Sequence, residues 1–347
     1  MSTRRRVKST GSEDKACIES VLKAVSLNLL PQAFNGFEDE ICEGAVRARD
    51  LEAFRGDYRE WTKWLGWASV VLDENDYLKA AVYALNLAPR LAGTDYGLSR
   101  QRDLGQVWTD TIRGLLGEIA LAKWLWERFQ IHAELDYRLG PLKEFLPSDI
   151  KAVNGRKPNL NVSVKTTKLS GIWLDVPGDQ IEHSDVFILV RVGVTREHFV
   201  SFLKEISVVR DKLIKEAVER KLVEEAEMVQ IWSAVPEFKA IPAYIAGFLD
   251  KAEIQDKLKD KTAIIDADGT VKTKNVIINK YLGYWNEETS EEKLKRLLMN
   301  KGKPIKDGMK IEFEGIERFS RKTLHFIANS GFLKKKKEDW EHLISRL

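Results

Sequence analysis

Glu118, Asp149 and Lys165 are the side chains in this 347-residue chain whose types and surroundings could do chemistry. Asp149 and Lys165 lie in the stretch PSDIKAVNGRKPNLNVSVKTTK, residues 147 to 168. Asn154–Asn159 (NGRKPN) has a loop composition, and β-like runs flank it. An antiparallel hairpin pairing residues 154 and 160 sets Asp149 opposite Lys165, with Cβ atoms roughly 4.5–5.5 Å apart. The second strand alternates, with Val162 and Val164 toward a core and Ser163 and Lys165 on the other, polar face. Glu118 is the one acid in the stretch TIRGLLGEIALAKWL, and its helical neighbours are Gly114, Leu115, Leu121 and Ala122. A carboxylate on such an apolar face is desolvated unless a metal ion or a lysine meets it. Two acids and a lysine can hold a hard cation and move a proton, which is the equipment of metal-assisted hydrolysis. The ordinary alternatives are a surface salt bridge for the pair and a helix-rim acid for Glu118.

Other chemistries lack their residues. No Gly-x-x-x-x-Gly-Lys-Ser/Thr loop is present, so no nucleotide cofactor is expected. No Gly-x-Gly-x-x-Gly follows a strand-like run. The five histidines (His132, His183, His198, His325 and His342) show no metal-ligand spacing. Cys17 and Cys42 are too few for a disulfide framework or a four-cysteine zinc site, so we expect reduced thiols and a cytoplasmic protein. No apolar run approaches the roughly 20 residues that span a bilayer, so no membrane partner is expected.

The elements that must position these residues follow from periodicity. Residues 1–14 read as a flexible basic tail and residues 15–100 as a helical region, with apolar steps of three and four around Ile18–Val25 and Trp61–Val71. A long helix spans Trp108 to Phe129. Short β-like runs follow at Asp149–Val153, Leu160–Thr167, Val186–Val192 and Ala243–Leu249, with a charged helical insertion over about 198–229. This makes 101–255 an α/β core and leaves 256–347 as a basic C-terminal region, with β-like runs at Thr270–Asn279 and Lys310–Phe313 and helices around Phe319–Asn329 and Glu338–Leu347.

In this order the residues resemble the PD-(D/E)XK nuclease superfamily, in particular type II restriction endonucleases. The matching pieces are Gly-Leu-Leu-Gly-Glu118, Pro147-Ser-Asp149, Ser163-Val-Lys165, the run Ser184–Arg191 and the run Ile241–Leu249, within roughly Gln101–Asp250. The resemblance implies a restriction-endonuclease-like α/β (α+β) fold, a mixed central β-sheet flanked by helices. It also implies Mg2+-dependent hydrolysis of double-stranded DNA at specific sites, with Mn2+ able to substitute. Asp149, Glu118 and the Val164 carbonyl would hold the ion, and Lys165 would stand beside the attacked phosphate. Ser163 departs from the pattern, since that position usually holds an acid. Glu118 is the favoured replacement carboxylate, Asp179 and Glu182 the alternatives, and Asp175 the least favoured. A structure-specific repair or recombination nuclease, and a non-cleaving DNA-binding protein with a decayed site, stand as alternatives. Palindromic sites would call for a homodimer.

Charge distribution supplies a place for DNA. The 56 Lys+Arg and 53 Asp+Glu nearly cancel, at +3. Residues 301–347 hold twelve basic and seven acidic side chains, a net of +5, which leaves −2 for the rest. The segment Phe319–Leu333 reads as helix, turn and further element, as in a helix-turn-helix or winged-helix module. Lys168, Arg321, Lys322, Lys334 and Lys335 are the candidate phosphate contacts, with Arg100, Arg102, Arg156 and Lys157 behind them.

Overall fold

The computed structural model describes residues 12–92, 104–138, 148–258, 263–267, 275–303, 305–316 and 324–347. The chain is a mixed α/β protein of the α+β kind, with helices packed around mixed sheets. The expected tail (apart from residues 12–14), Pro147, Arg100, Arg102, Arg321 and Lys322 lie outside the described residues. Among those residues no helix is long and apolar enough to cross a membrane.

Helices α1 (Ser12–Ser26), α2 (Glu38–Ala48) and α3 (Tyr58–Ala68) come first. Strand β1 (Ser69–Leu72) interrupts the expected helical region, and α4 (Glu74–Ala92) and α5 (Leu104–Phe129) follow it. β2 (Ala133–Leu135) and β3 (Ile150–Val153) form a small ribbon. The central sheet has the order β1, β7 (Ile241–Asp250), β6 (Val186–Val192), β4 (Val162–Lys168). β4 and β6 run parallel, and the other pairs are antiparallel.

All seven residues of β6 and all ten of β7 are buried, as their near-continuous apolar sequences require of strands covered on both faces. Alternation sorts the two faces. Val186, Ile188, Val190 and Val192 join the core under α4 and α5, and Phe187 and Leu189 join the core under α1–α3. The N-terminal helices therefore share a core with the central strands.

A second sheet has the order β10 (Lys310–Phe313), β9 (Asn275–Trp285), β11 (His325–Asn329), β5 (Trp173–Pro177), with β8 (Ala263–Ala267) paired to β9. The short α6 (Gly178–Ile181) follows β5, and α7 (Arg196–Glu205) follows β6.

Four expectations change here. The hairpin between β3 and β4 does not form. Asn154 and Gly155 both have positive φ, 49° and 74°, and close a two-residue turn in which Val153 and Arg156 exchange both backbone hydrogen bonds. β3 pairs with β2, and β4 spends its inner edge on β6.

The helix expected over Phe319–Asn329 is, across His325–Asn329, a fully buried strand between β9 and β5. Every residue there faces packed protein, which a strand with two neighbours satisfies. No helix-turn-helix occupies the described residues of that stretch, 324–333.

The thiols are not free. Cys17 of α1 and Cys42 of α2 meet inside the helical core as a disulfide, with Cα atoms 5.7 Å apart.

Lys335, a candidate DNA contact, is 1 % exposed and bonds Asp50 Oδ1 at 2.6 Å. Asp50 also meets Arg191 Nη1 at 3.1 Å, and Arg191 donates to Ser330 Oγ and to the Tyr244 hydroxyl. This buried cluster ties the N-terminal helices, the central sheet and the C-terminal segment together.

Candidate functional site

Strand β4 is the edge of the central sheet, so half of its backbone groups face away from β6. The segment before β3 uses them. Asp149 N–H donates to Val162 O at 2.8 Å, Val162 N–H donates to Ser148 Oγ at 3.1 Å, and Val164 N–H donates to Asp149 Oδ2 at 2.6 Å. Asp149 therefore stands beside Val164 and not opposite Lys165 in a ladder. N–H and C=O of one strand residue point to the same side, so the Val164 carbonyl faces the Asp149 side of the strand.

Helix α5 approaches the same strand closely because it presents glycine there. Thr166 Oγ1 donates to the Gly114 carbonyl at 3.1 Å. A Cβ on Gly117 would fall 1.8 Å from Thr166 Oγ1. That contact sets the next residue, Glu118, within electrostatic range of Asp149 and Lys165.

Lys165 leaves β4 on the opposite face from Val164. Its Nζ donates to Gln180 Oε1 at 2.5 Å, and Gln180 Nε2 donates to Ser163 Oγ at 3.1 Å. Gln180 thus bridges the lysine and the serine that stands where an acid was expected.

The three side chains are half-buried, with their charged ends deep enough for desolvation to dominate. Burial pushes the Glu118 carboxyl well above the usual carboxylate range, and the negative charges of Asp149 and Asp136 push it further, against Lys165. Burial also raises Asp149, although the Val164 N–H and Lys165 pull it back. Burial lowers the Lys165 ammonium despite Asp149, Asp175 and Glu118. Two desolvated acids therefore share one weakened cation.

Two residues of this site were not singled out in the sequence. Asp136 follows β2, and its N–H donates to the Asp149 carbonyl at 2.9 Å. Its charge acts on both Glu118 and Asp149, while Arg138 at 2.5 Å holds its own carboxyl low. Only the β2–β3 pairing brings it here, and nothing in the local pattern signals it. Gln180 sits between the two acids that were considered, Asp179 and Glu182, both of which are exposed. The helical turn of α6 aims position 180 inward. Asp175, the least favoured acid, is the one of that group whose charge reaches Lys165, and it also meets His325 Nδ1 at 2.7 Å.

A cavity of about 540 Å³ opens beside Lys165, the size class of small-ligand sites. Arg47, Arg113 and exposed Lys168 line it, with Asp175, Trp173 and Glu314. Trp173 is fixed there by its indole N–H on the Glu314 carbonyl at 2.7 Å. Lys334 lies elsewhere, paired with Asp250 and Glu253 at 3.0 and 3.2 Å.

Among the described residues no three Asp, Glu, His or Cys side chains are gathered closely enough to hold a metal by themselves. The donors at hand are two carboxylates and a carbonyl, all hard oxygen ligands. They suit Mg2+, which keeps several waters and binds through one or two carboxylates plus substrate phosphate. No family model, no curated protein and no solved structure matches the chain.

Proposed function

We propose that this protein is a Mg2+-dependent endodeoxyribonuclease of the type II restriction kind, hydrolysing phosphodiester bonds in double-stranded DNA. One observation carries the reading. Glu118, Asp149 and Lys165, from a helix, a strand entrance and an edge strand, converge with their charges desolvated, beside a cavity bordered by Arg47, Arg113 and Lys168. Two desolvated acids that share a single weakened ammonium favour a cation, and arginine and lysine at a cavity favour phosphate.

Asp149 and Glu118, with the Val164 carbonyl, would hold the ion. A divalent ion held there would supply charge neutralisation at the phosphate and a more acidic water. Lys165 supplies a positive hydrogen-bond donor to the phosphate oxygens, and its burial makes the ammonium readier to release a proton than that of a free lysine. Gln180 fixes the lysine's Nζ and uses Ser163 as its own anchor. The serine thus serves positioning, and the carboxylate role passes to Glu118.

The test is digestion of long duplex DNA with and without Mg2+. Discrete fragments with Mg2+ support restriction, whereas a smear or a preference for branched substrates replaces it with a non-specific or structure-specific nuclease. Asp149→Ala and Lys165→Ala should each reduce the rate by about 100- to 1,000-fold, the cost of removing a group that stabilises transition-state charge. Undiminished cleavage by both variants would sink the site.

A further inference from the structure

Asp149 and Lys165 each have an anchor, the Val164 N–H for one and Gln180 for the other. The group placed to anchor Glu118 is Tyr137. It follows Asp136, whose N–H on the Asp149 carbonyl at 2.9 Å docks this segment against the site. The Tyr137 ring stacks on Tyr83 of α4, with centroids 3.8 Å apart and planes within 7° of parallel. Lys79 Nζ stands 5.4 Å from the Tyr137 centroid, within cation–π range. A ring held this way leaves its hydroxyl only the rotation of the O–H bond.

That hydroxyl is buried and has no hydrogen-bond partner among the described residues. A buried hydroxyl with no partner has given up its bond to water and gained nothing in return. The acceptor within range is on α5. Glu118 and Ala122 are one helical turn apart and share a face. Ala122 and Ile119, the residue after Glu118, line a cavity of about 360 Å³ together with Tyr137. Burial and then the Glu118 charge push the Tyr137 hydroxyl above its ordinary pKa, so the proton stays on the oxygen and the group stays a donor.

We propose that Tyr137 is the positioning residue for Glu118, its O–H donating to one oxygen of the ionised carboxylate and leaving the other for Mg2+. The proposal rests on the reading of Glu118 as a ligand of that ion. A carboxylate that binds a metal is itself hydrogen-bonded as a rule, because a donor on the outer oxygen fixes its rotation toward the ion. The stack on Tyr83 makes that donor rigid, and its burial keeps water from competing for the carboxylate.

Tyr137→Phe tests this, since it deletes the oxygen and keeps the ring. Mg2+ binding to the full chain is measured by titration calorimetry, and thermal unfolding is followed in chelator-treated buffer. The dissociation constant for Mg2+ should rise by about 10- to 100-fold, the usual effect of losing a hydrogen bond to a metal ligand. The Mg2+ requirement of cleavage should rise with it, and the rate should return at high Mg2+. The metal-free midpoint should be no lower than that of the wild type, because the deleted hydroxyl had no partner there. Equal Mg2+ affinity in the variant and the wild type would overturn the role of Tyr137 and leave the metal site standing. A lower metal-free midpoint would make the hydroxyl a structural group and overturn the proposal too. A wild-type chain that binds no Mg2+ would overturn both the proposal and the reading of Glu118 on which it rests.

Discussion

Glu118 is a half-buried acid whose carboxyl is strongly desolvated. Its carboxyl titrates above the unfolded value of about 4.5, so its favourable contribution is complete below that value and lost as pH rises through the folded pKa. At pH 8, above the unfolded value, and without metal, the buried carboxyl costs stability. Glu118→Gln should therefore raise the melting temperature at pH 8, lose that advantage at low pH, and abolish Mg2+-dependent cleavage. Calorimetry in chelator-treated buffer checks the first two, and a variant less stable than wild type at pH 8 would refute the desolvation account. The same raised pKa values make protons compete with Mg2+ for Glu118 and Asp149. The Mg2+ concentration giving half-maximal cleavage should rise as pH falls from 8 to 6, and an unchanged value would remove these acids from the ion's ligands. The residues themselves were legible in the sequence, because an acid inside GLLGEIALA and an Asp and a Lys flanking a turn are conspicuous there. Asp136 and Gln180 were not, since each enters through a contact between elements remote in the chain.

At the scale of elements, α5 and β4 position the site through one glycine contact. Gly117→Ala must move Thr166 or the helix, because the new methyl would lie 1.8 Å from Thr166 Oγ1. The expected loss is about 1–3 kcal/mol in stability, the usual cost of overpacking, with reduced cleavage as Glu118 shifts. Chemical denaturation and digestion of the variant check both, and unchanged values would show that α5 is not held by this contact. Helix α5 and strands β4, β6 and β7 were readable from apolar period and length. The partner of β3 was not. Asn154-Gly155 allowed both a longer loop and a two-residue turn, and the choice depended on β4 finding β6, whose residues lie beyond the next turn and helix. Likewise FIAN in β11 lies in a segment that reads as a helix but becomes a strand, because β9 and β5 stand on either side with unpaired backbone.

For the whole molecule, the buried cluster of Asp50, Arg191 and Lys335 joins segments almost 300 residues apart. Burial alone would raise the Asp50 carboxyl, but Lys335 and Arg191 override it and hold it below its ordinary value. Its stabilisation is therefore present above the unfolded pKa and lost as pH falls through the folded one. Asp50→Ala strands two buried cations and should cost about 3–5 kcal/mol, seen as an earlier single transition in thermal unfolding. An unchanged midpoint would mean that the cluster contributes nothing. The sequence by itself determined the helix periods, the buried strands, the absence of nucleotide-binding loops and the identity of Glu118, Asp149 and Lys165. Those follow from local periodicity and side-chain chemistry, which neighbours in the chain decide. Only the tertiary structure decided that Cys17 meets Cys42, that Lys335 faces Asp50 and not solvent, and that Asp136 and Gln180 stand at the site. Those outcomes depend on which strand edge each segment occupies, and a single chain's local pattern does not encode the pairing of edges.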